Sequence, residues 1–278
     1  MKSNQKVAVV TGSSSGIGYE TSLELARNGF LTYATMRNHN NSENIKSVAT
    51  KENLPLHIIQ LDVNDDTSVK DAVQKILSET GRIDVLVNNA GYGLNGAFED
   101  LAIDEIKAQY ETNVFGLIRT TQAVLPTMRR QKSGVIVNIS SGAGRFGFPG
   151  GSAYVSTKFA VEGLSESMSY ELEPFGIKVV VVEPGVIRTN FVTVAAKKSQ
   201  DPNSPYSQIM QSMAIGFEDM LKNASSPDLV AKVVLKAVTN ENRNLRYLAG
   251  KDIETWLDTK RNMSDEEFYK MMKQNLMK

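Results

Sequence analysis

Tyr154 and Lys158 stand four residues apart in the stretch Tyr154-Val155-Ser156-Thr157-Lys158, and on a helix that interval puts both side chains on one face. A phenol with a reference pKa of about 10 carries protons poorly at neutral pH, but a cation beside it favours the phenolate and draws it toward a working range. The chemistry on offer is a proton moved on and off an oxygen atom. A solvated tyrosine and lysine on a surface helix have the same spacing, so the pair takes its meaning from the residues that accompany it.

Those companions fall at the ends of apolar runs. Residues 7–10 are a short β-branched run that ends in Thr11-Gly12-Ser13-Ser14-Ser15-Gly16-Ile17-Gly18, after which 19–28 has helical spacing and Gly29 closes it. Glycines in such a turn let the backbone approach a phosphate, and the helix start offers free N–H groups and a positive dipole end, a site for the pyrophosphate of a dinucleotide. The spacing is neither G-x-G-x-x-G nor the Lys-Ser/Thr ending of a P-loop. Asp62 follows the third apolar run and Asn89-Ala90-Gly91 the fourth. Asp62 also suits a helix cap or turn, and Asn89 a loop that bonds its own backbone. Asn113 stands beside Val114, Phe115 and Leu117, where a polar side chain is either solvated or buried with a purpose. Ser140-Ser141 ends a further run, and Glu183-Pro184-Gly185 another, with Thr189 shortly after.

The elements that must position these residues alternate. Strands are expected at 31–36, 56–61, 83–87, 135–139, 179–182 and 245–248, and helices at 42–51, 66–79, 104–130, from about 152, and at 227–239. This order predicts an α/β fold with a parallel sheet covered by helices on both faces. The helix over 104–130 should end or kink around Pro126. Residues 142–151 read as a mobile glycine-rich connection. In 190–226 a polar stretch at 197–203 precedes Met210, Met213, Ile215, Phe217, Met220 and Leu221 at roughly helical intervals, which fits an adaptable flap over a site or a surface helix packed on the body. The tail 251–278 is a helical extension whose last helix starts at Ser264, with Asp265, Glu266 and Glu267 in its first turn. No linker or repeat divides the chain, so 1–278 reads as one domain.

Composition excludes several kinds of function. Across 278 residues Lys plus Arg and Asp plus Glu are 31 each, which leaves no global field to recruit nucleic acid or an anionic membrane. There is no cysteine, and the two histidines, His39 and His57, lack ligand-like spacing, so thiolate chemistry, disulfides and a zinc site are not expected. No signal peptide or membrane span is legible, and the expectation is a soluble cytoplasmic protein.

Taken together and in order, Thr11-x3-Gly16-x-Gly18, Asn89-Ala90-Gly91, Ser141, Tyr154-x3-Lys158 and Pro184-Gly185 resemble the short-chain dehydrogenase/reductase family over about 6–190. Tyr92-Gly93-Leu94-Asn95-Gly96 and 245–251 look like its steroid- and retinol-dehydrogenase-like branch. The resemblance implies a Rossmann-type doubly wound sheet of about seven strands, a homodimer or homotetramer, and hydride transfer between a nicotinamide and a carbonyl or alcohol. It gives Tyr154 the acid/base role, Lys158 the nicotinamide ribose and the lowering of the phenol's pKa, Ser141 the polarising of the carbonyl, and Asn113 a water that links the lysine to solvent. The glycine turn (Gly12, Ser14, Ser15, Gly16, Ile17 and Gly18) would hold the pyrophosphate. Asp62 and Val63 would hold the adenine, Asn89, Ala90 and Gly91 the adenosine side, and Pro184, Gly185, Ile187 and Thr189 would flank the nicotinamide.

Cofactor choice turns on the end of the second strand, where an NAD site has Asp or Glu and an NADP site a cation. Residues 30–41 contain no carboxylate; Met36 holds the acidic position, and Arg37 follows with a planar fork suited to a phosphate. The expectation is NADP, with NAD as a possible substitute because Ser15 stands where NADP-using relatives carry a second cation. Residues 92–94, 144–148 and 210–220 are expected to frame an apolar substrate pocket. Two other readings compete. Gly12-Ser13-Ser14-Ser15-Gly16 matches a hydrolase nucleophile elbow with Ser14 as nucleophile, but that fold needs several strands before the elbow and a histidine well after it, whereas this is the first strand and both histidines, His39 and His57, come early. A silent cofactor-binding sensor or scaffold would be favoured by a missing Tyr, Lys or Ser, and all are present.

Overall fold

The computed structural model describes residues 5–189, 191, 196–197, 203–242 and 244–276. The chain opens with β1 (Val7–Val10), α1 (Gly16–Arg27), β2 (Leu31–Met36), α2 (Glu43–Lys51), β3 (Leu56–Gln60), α3 (Asp66–Thr80) and β4 (Val85–Asn88). A short β5 (Leu94–Asn95) leads to α4 (Ile103–Tyr110), a π turn (Glu111–Phe115), α5 (Gly116–Gln131), β6 (Gly134–Ile139), α6 (Ser152–Leu172) and β7 (Ile177–Pro184). Then come β8 (Ala196–Lys197), α7 (Ser207–Lys222), α8 (Pro227–Thr239), β9 (Arg246–Ala249), α9 (Lys251–Arg261) and α10 (Asp265–Leu276).

The longer strands form one parallel seven-stranded sheet in the order β3-β2-β1-β4-β6-β7-β9. Alternate residues of β1 explain why both faces are covered. Val7 and Val9 enter a core with Ile76 of α3 and Val124 and Met128 of α5, while Ala8 and Val10 enter the opposite core with Leu25 of α1 and Val230 and Val234 of α8. A strand buried on both sides reads as an unbroken apolar run, as these strands do. Because strand order reverses between β1 and β4, their carboxyl ends splay and leave a crevice, the place where open α/β sheets bind ligands.

The helix expected over 104–130 differs in two ways. It is interrupted by the π turn, where Gly116 N–H bonds Glu111 O, and it runs past Pro126 to Gln131. Pro126 lies on the exposed face, where the carbonyl it cannot serve is open to water, so the helix continues. The connection after β6 begins as a buried 3₁₀ turn, Gly142–Gly144, rather than as the open glycine loop its composition suggests. Of the region 190–226, residues 190, 192–195 and 198–202 lie outside the described residues. Within the rest, α7 turns Met213 into a small core with Phe268, Met272 and Leu276 of α10. Ser264 and Glu267 cap α10 reciprocally: Ser264 N donates to Glu267 Oε2 (2.8 Å) and Glu267 N to Ser264 Oγ (3.3 Å). Among the described residues no helix is long and apolar enough to cross a membrane.

Candidate active site

Thr11 closes β1 and ties it to β4. Its Oγ1 accepts from Asn89 N and Ala90 N, both at 3.0 Å, and Asn89 Nδ2 donates back to Thr11 O (2.9 Å) and Gly12 O (3.1 Å). Asn89 Nδ2 is therefore engaged with the glycine turn rather than with its own loop, and Asn89 still lines the cleft. Gly12 has φ +69° and Gly16 φ +61°, left-handed values that favour glycine. A Cβ at Gly18 would lie 2.4 Å from both Asn89 Nδ2 and Gly12 O. Gly18 thus permits close packing beneath the turn, whereas Gly12, Ser14, Ser15, Gly16 and Ile17 line a cleft of about 890 Å³. Ser15 precedes α1 without a side-chain cap bond, so the first-turn N–H groups remain available to an anion. A backbone wall that tolerates no Cβ, next to uncapped N–H groups, fits a pyrophosphate.

The adenosine-side expectations fall along the same cleft. Arg37, Asp62, Val63, Asn89, Ala90 and Gly91 all line it. Asp62 makes a turn in which Asn64 N donates to its Oδ1 (3.0 Å), and it is Asp65 that caps α3, with Thr67 N and Ser68 N donating to Oδ1. Arg37 is exposed and has no ion-pair partner among the described residues.

The proton-transfer candidates meet at the other end of the cleft. Ser141 lies just past β6, its Oγ accepting from Ala143 N (3.1 Å) and its hydroxyl acting to lower the Tyr154 phenol. Ser140 also lines the cleft, but its buried Oγ has no hydrogen-bond partner among the described residues. One turn from Tyr154, Lys158 Nζ donates to Ile139 O (2.8 Å) and lies 5.7 Å from the centre of the phenol ring. Burial pushes the Tyr154 phenol up to about 12, with the Ser141 hydrogen bond pulling the other way. Burial likewise pushes Lys158 down to about 8, opposed by the charge of Glu162. Desolvation is the larger cause at the phenol, the opposing pull comes from Ser141, and the Lys158 ammonium donates to a backbone carbonyl. Pro184, Gly185, Ile187 and Thr189 complete this end of the cleft.

Asn113 does not reach the cleft. It is buried in the π turn, its Oδ1 accepting from Tyr92 N (3.0 Å) and its Nδ2 donating to Tyr92 O (2.9 Å) and Thr157 Oγ1 (3.2 Å). Its side chain holds the loop after β4 against the helix that carries Lys158. Neither histidine lines the cleft; His57 stacks on Tyr33, so the strand-turn-helix around Ser14 has no base beside it.

A short chain dehydrogenase model matches residues 6–200. The chain belongs to the short-chain dehydrogenase family. Its relatives include the uncharacterised oxidoreductase YusZ of Bacillus subtilis, 38% identical over 91% of this chain and 92% of that protein, and a 3-ketodihydrosphingosine reductase of Bacteroides thetaiotaomicron, 37% identical over 88% of each. Human 17-beta-hydroxysteroid dehydrogenase type 1 is 34% identical over 87% of this chain and 76% of its own length. Among solved structures, a short-chain dehydrogenase from Streptomyces avermitilis superposes with a TM-score of 0.82 at 35% identity, covering 94% of both chains. An alcohol dehydrogenase from Thermococcus sibiricus complexed with 5-hydroxy-NADP gives 0.73 at 27%, covering 88% of this chain and 96% of that one.

In this short-chain dehydrogenase the substrate side of the cleft is broader than the sequence suggested. Tyr92, Phe146, Phe148, Met213, Phe217 and Met220 line it as expected, whereas Leu94 is buried elsewhere. Ile253 and Trp256 of α9, and Met272 and Leu276 of α10, were not foreseen. The apolar spacing of Phe268, Met272 and Leu276 was a legible signal of a buried face, but what that face covers depends on where the helix docks. Phe191, edge-on to Tyr154 with ring centres 5.7 Å apart, and Asp252, whose Oδ2 accepts from Val186 N (2.7 Å) and steadies the segment after β7, carried no sequence signal.

Proposed function

We propose that this short-chain dehydrogenase is an NADP(H)-preferring oxidoreductase acting on apolar ketones, aldehydes or secondary alcohols. The observation that carries the reading is the convergence of Ser141, Tyr154 and Lys158 on a cleft whose other wall is the glycine turn. A bound nicotinamide would supply or accept the hydride. Tyr154 would give a proton to the substrate oxygen in reduction and take it back in oxidation, and Ser141 would hold that oxygen by a hydrogen bond. With its phenol pushed up to about 12, Tyr154 is protonated at neutral pH and set to donate. Lys158 would bind the ribose hydroxyls, and Asn113 would keep its helix in register.

Gly12, Ser14, Ser15, Gly16 and Ile17 would hold the pyrophosphate with Gly18 as their packing support, Asp62 and Val63 the adenine, Asn89 to Gly91 the adenosine side, and Pro184, Gly185, Ile187 and Thr189 the nicotinamide. Arg37, on the cleft wall and without an ion-pair partner among the described residues, would read the 2′-phosphate. The aromatic and methionine lining supports an apolar substrate, in keeping with relatives named for a sphingoid and a steroid substrate. We read 1–278 as one domain, with 190–226 on the substrate side and 251–278 closing over it. We also read it as a homodimer or homotetramer, because Phe115 and Phe159 stand 50% and 47% exposed on neighbouring helices.

The cofactor assignment is tested by kcat/KM with NADPH and NADH for the wild type and Arg37→Ala. One charged hydrogen-bonding contact is worth about 1.5–3 kcal/mol, roughly 10- to 150-fold. The expected result is a preference for NADPH in that range, largely lost in the variant through weaker NADPH binding. Equal efficiency with NADH in the wild type would contradict it.

A further inference from the structure

One turn beyond Lys158 on α6 lies a charged cluster to which the proposed chemistry gives no part. Glu162 is 5% exposed and Glu183, near the end of β7, is 0% exposed. Arg145 Nη1 donates to Glu183 Oε1 (2.8 Å). Arg246 of β9 donates through Nε to Glu162 Oε2 (2.9 Å) and through Nη2 to Glu166 Oε2 (2.6 Å), and its Nε stands 3.5 Å from Glu183 Oε1. The guanidinium groups thereby satisfy one oxygen on each buried carboxylate. The other oxygens, Glu162 Oε1 and Glu183 Oε2, are enclosed with no hydrogen-bond partner among the described residues.

Two enclosed acceptors with no donor are costly, and carboxyl groups packed together relieve that cost when one of them keeps its proton. Burial first, and the neighbouring Glu162 next, push Glu183 above the usual carboxylate range against the pull of Arg145. We propose that Glu162 and Glu183 share one proton carried by Glu183, leaving Glu162 anionic one helical turn from Lys158 to keep the Lys158 ammonium protonated in the cleft. Glu162 is then a positioning residue that acts through Lys158, and the cluster ties the segment after β6, α6, β7 and β9 beneath the site.

The charges around Lys158 leave Glu162 as its supporting anion. Tyr154 and Glu162 share its helix, whereas Arg145 of the segment after β6, Glu183 of β7 and Arg246 of β9 belong to the cluster around Glu162. The π turn offers the neutral Asn113, while its Glu111 pairs with Arg119. On α4, Asp104 pairs with Lys107 at the surface and Glu105 bonds Ala102 N.

The test is an NMR titration of Lys158, with labelled lysine side chains, in the full-length wild type, Glu162→Gln, Glu162→Asp and Glu183→Gln, beside infrared spectra in the carboxyl region. Glu162→Gln should lower the Lys158 midpoint by about one pH unit and move the alkaline limb of kcat/KM with it. Glu162→Asp, which keeps the charge, should restore much of the shift. Glu183→Gln keeps a donor at the shared position and should leave the Lys158 midpoint in place while abolishing a protonated-carboxyl band seen in the wild type at neutral pH. Equal shifts in Glu162→Gln and Glu183→Gln, or an unmoved midpoint in Glu162→Gln, would overturn the proposal. So would a wild-type spectrum without the band, a readout that stands even if Glu162→Gln does not fold. The inference uses the site reading above only for its effect on turnover. A shifted Lys158 midpoint with an unmoved kcat/KM profile would support the shared proton and instead contradict the ribose role given to Lys158.

Discussion

Desolvation sets the protonation of the Tyr154 and Lys158 pair, and the two side chains respond in opposite directions. The phenol, neutral when protonated, is held protonated to about 12, while the ammonium, charged when protonated, gives up its proton at about 8. If Lys158 holds the ribose by charged hydrogen bonds, cofactor affinity measured on the free protein should fall as pH rises through about 8. Folding stability should move the other way. Between about 8 and 10.5 the unfolded lysine keeps a proton that the folded one has lost, so stability rises with pH across that window. Below it the buried charge costs about 3 kcal/mol. Lys158→Met, similar in length and uncharged, should therefore unfold in urea at pH 7 no earlier than the wild type while losing cofactor affinity; a clearly less stable variant would contradict this. At this scale residue types in order revealed the site, but a side chain's partners did not show in them. In the sequence Asn89 also suits a loop that bonds its own backbone and Asn113 is either solvated or buried with a purpose; in the fold each amide nitrogen donates to backbone of a neighbouring loop.

Elements explain why some of these positions tolerate so little. Gly18 sits where the first turn of α1 crosses Gly12 and Asn89, and a methyl group at 2.4 Å from both must displace the turn that forms the cleft wall. Gly18→Ala should cost about 1–3 kcal/mol, as overpacking does, and weaken cofactor binding; a variant with unchanged unfolding midpoint and affinity would show that the turn is not tightly held. On the substrate side, Trp256 and Leu276 bring α9 and α10 into the cleft. Trp256→Ala should raise KM for bulky apolar substrates far more than for small ones, which a size series of ketones would reveal. The sheet strands were legible because burial on both faces leaves apolar runs, and α1 and α3 because turn residues and caps bound them. The π turn was not legible, since nothing local distinguishes Glu111–Phe115 from ordinary helix. The docking of α9 and α10 was not legible either, because it depends on long-range packing against Phe146 and Met213.

At the scale of the molecule, α6 carries both the proposed proton-transfer pair and an exposed aromatic side chain. One part of it presents Tyr154 and Lys158 to the cleft, and Phe159 is left half exposed beside Phe115. If that face joins subunits, Phe159→Asp combined with Phe115→Asp should convert the assembly to monomer in sedimentation, and a wild type that already sediments as a monomer would contradict the reading. Order of motifs was enough to reveal the fold, because strand, turn and helix can close into a parallel sheet in few ways. Substrate identity was not legible, because the lining that α7, α9 and α10 give the cleft is known only once those helices are packed. The central claim is that Tyr154 moves the proton in a nicotinamide-dependent reaction, and turnover of wild type and Tyr154→Phe with NADPH and a panel of apolar ketones at pH 7 tests it most directly. The expected result is NADPH oxidation by the wild type and a loss of roughly 10²- to 10⁴-fold in kcat in Tyr154→Phe, with NADPH affinity and unfolding midpoint nearly unchanged. Wild-type turnover in folded Tyr154→Phe protein would contradict the account.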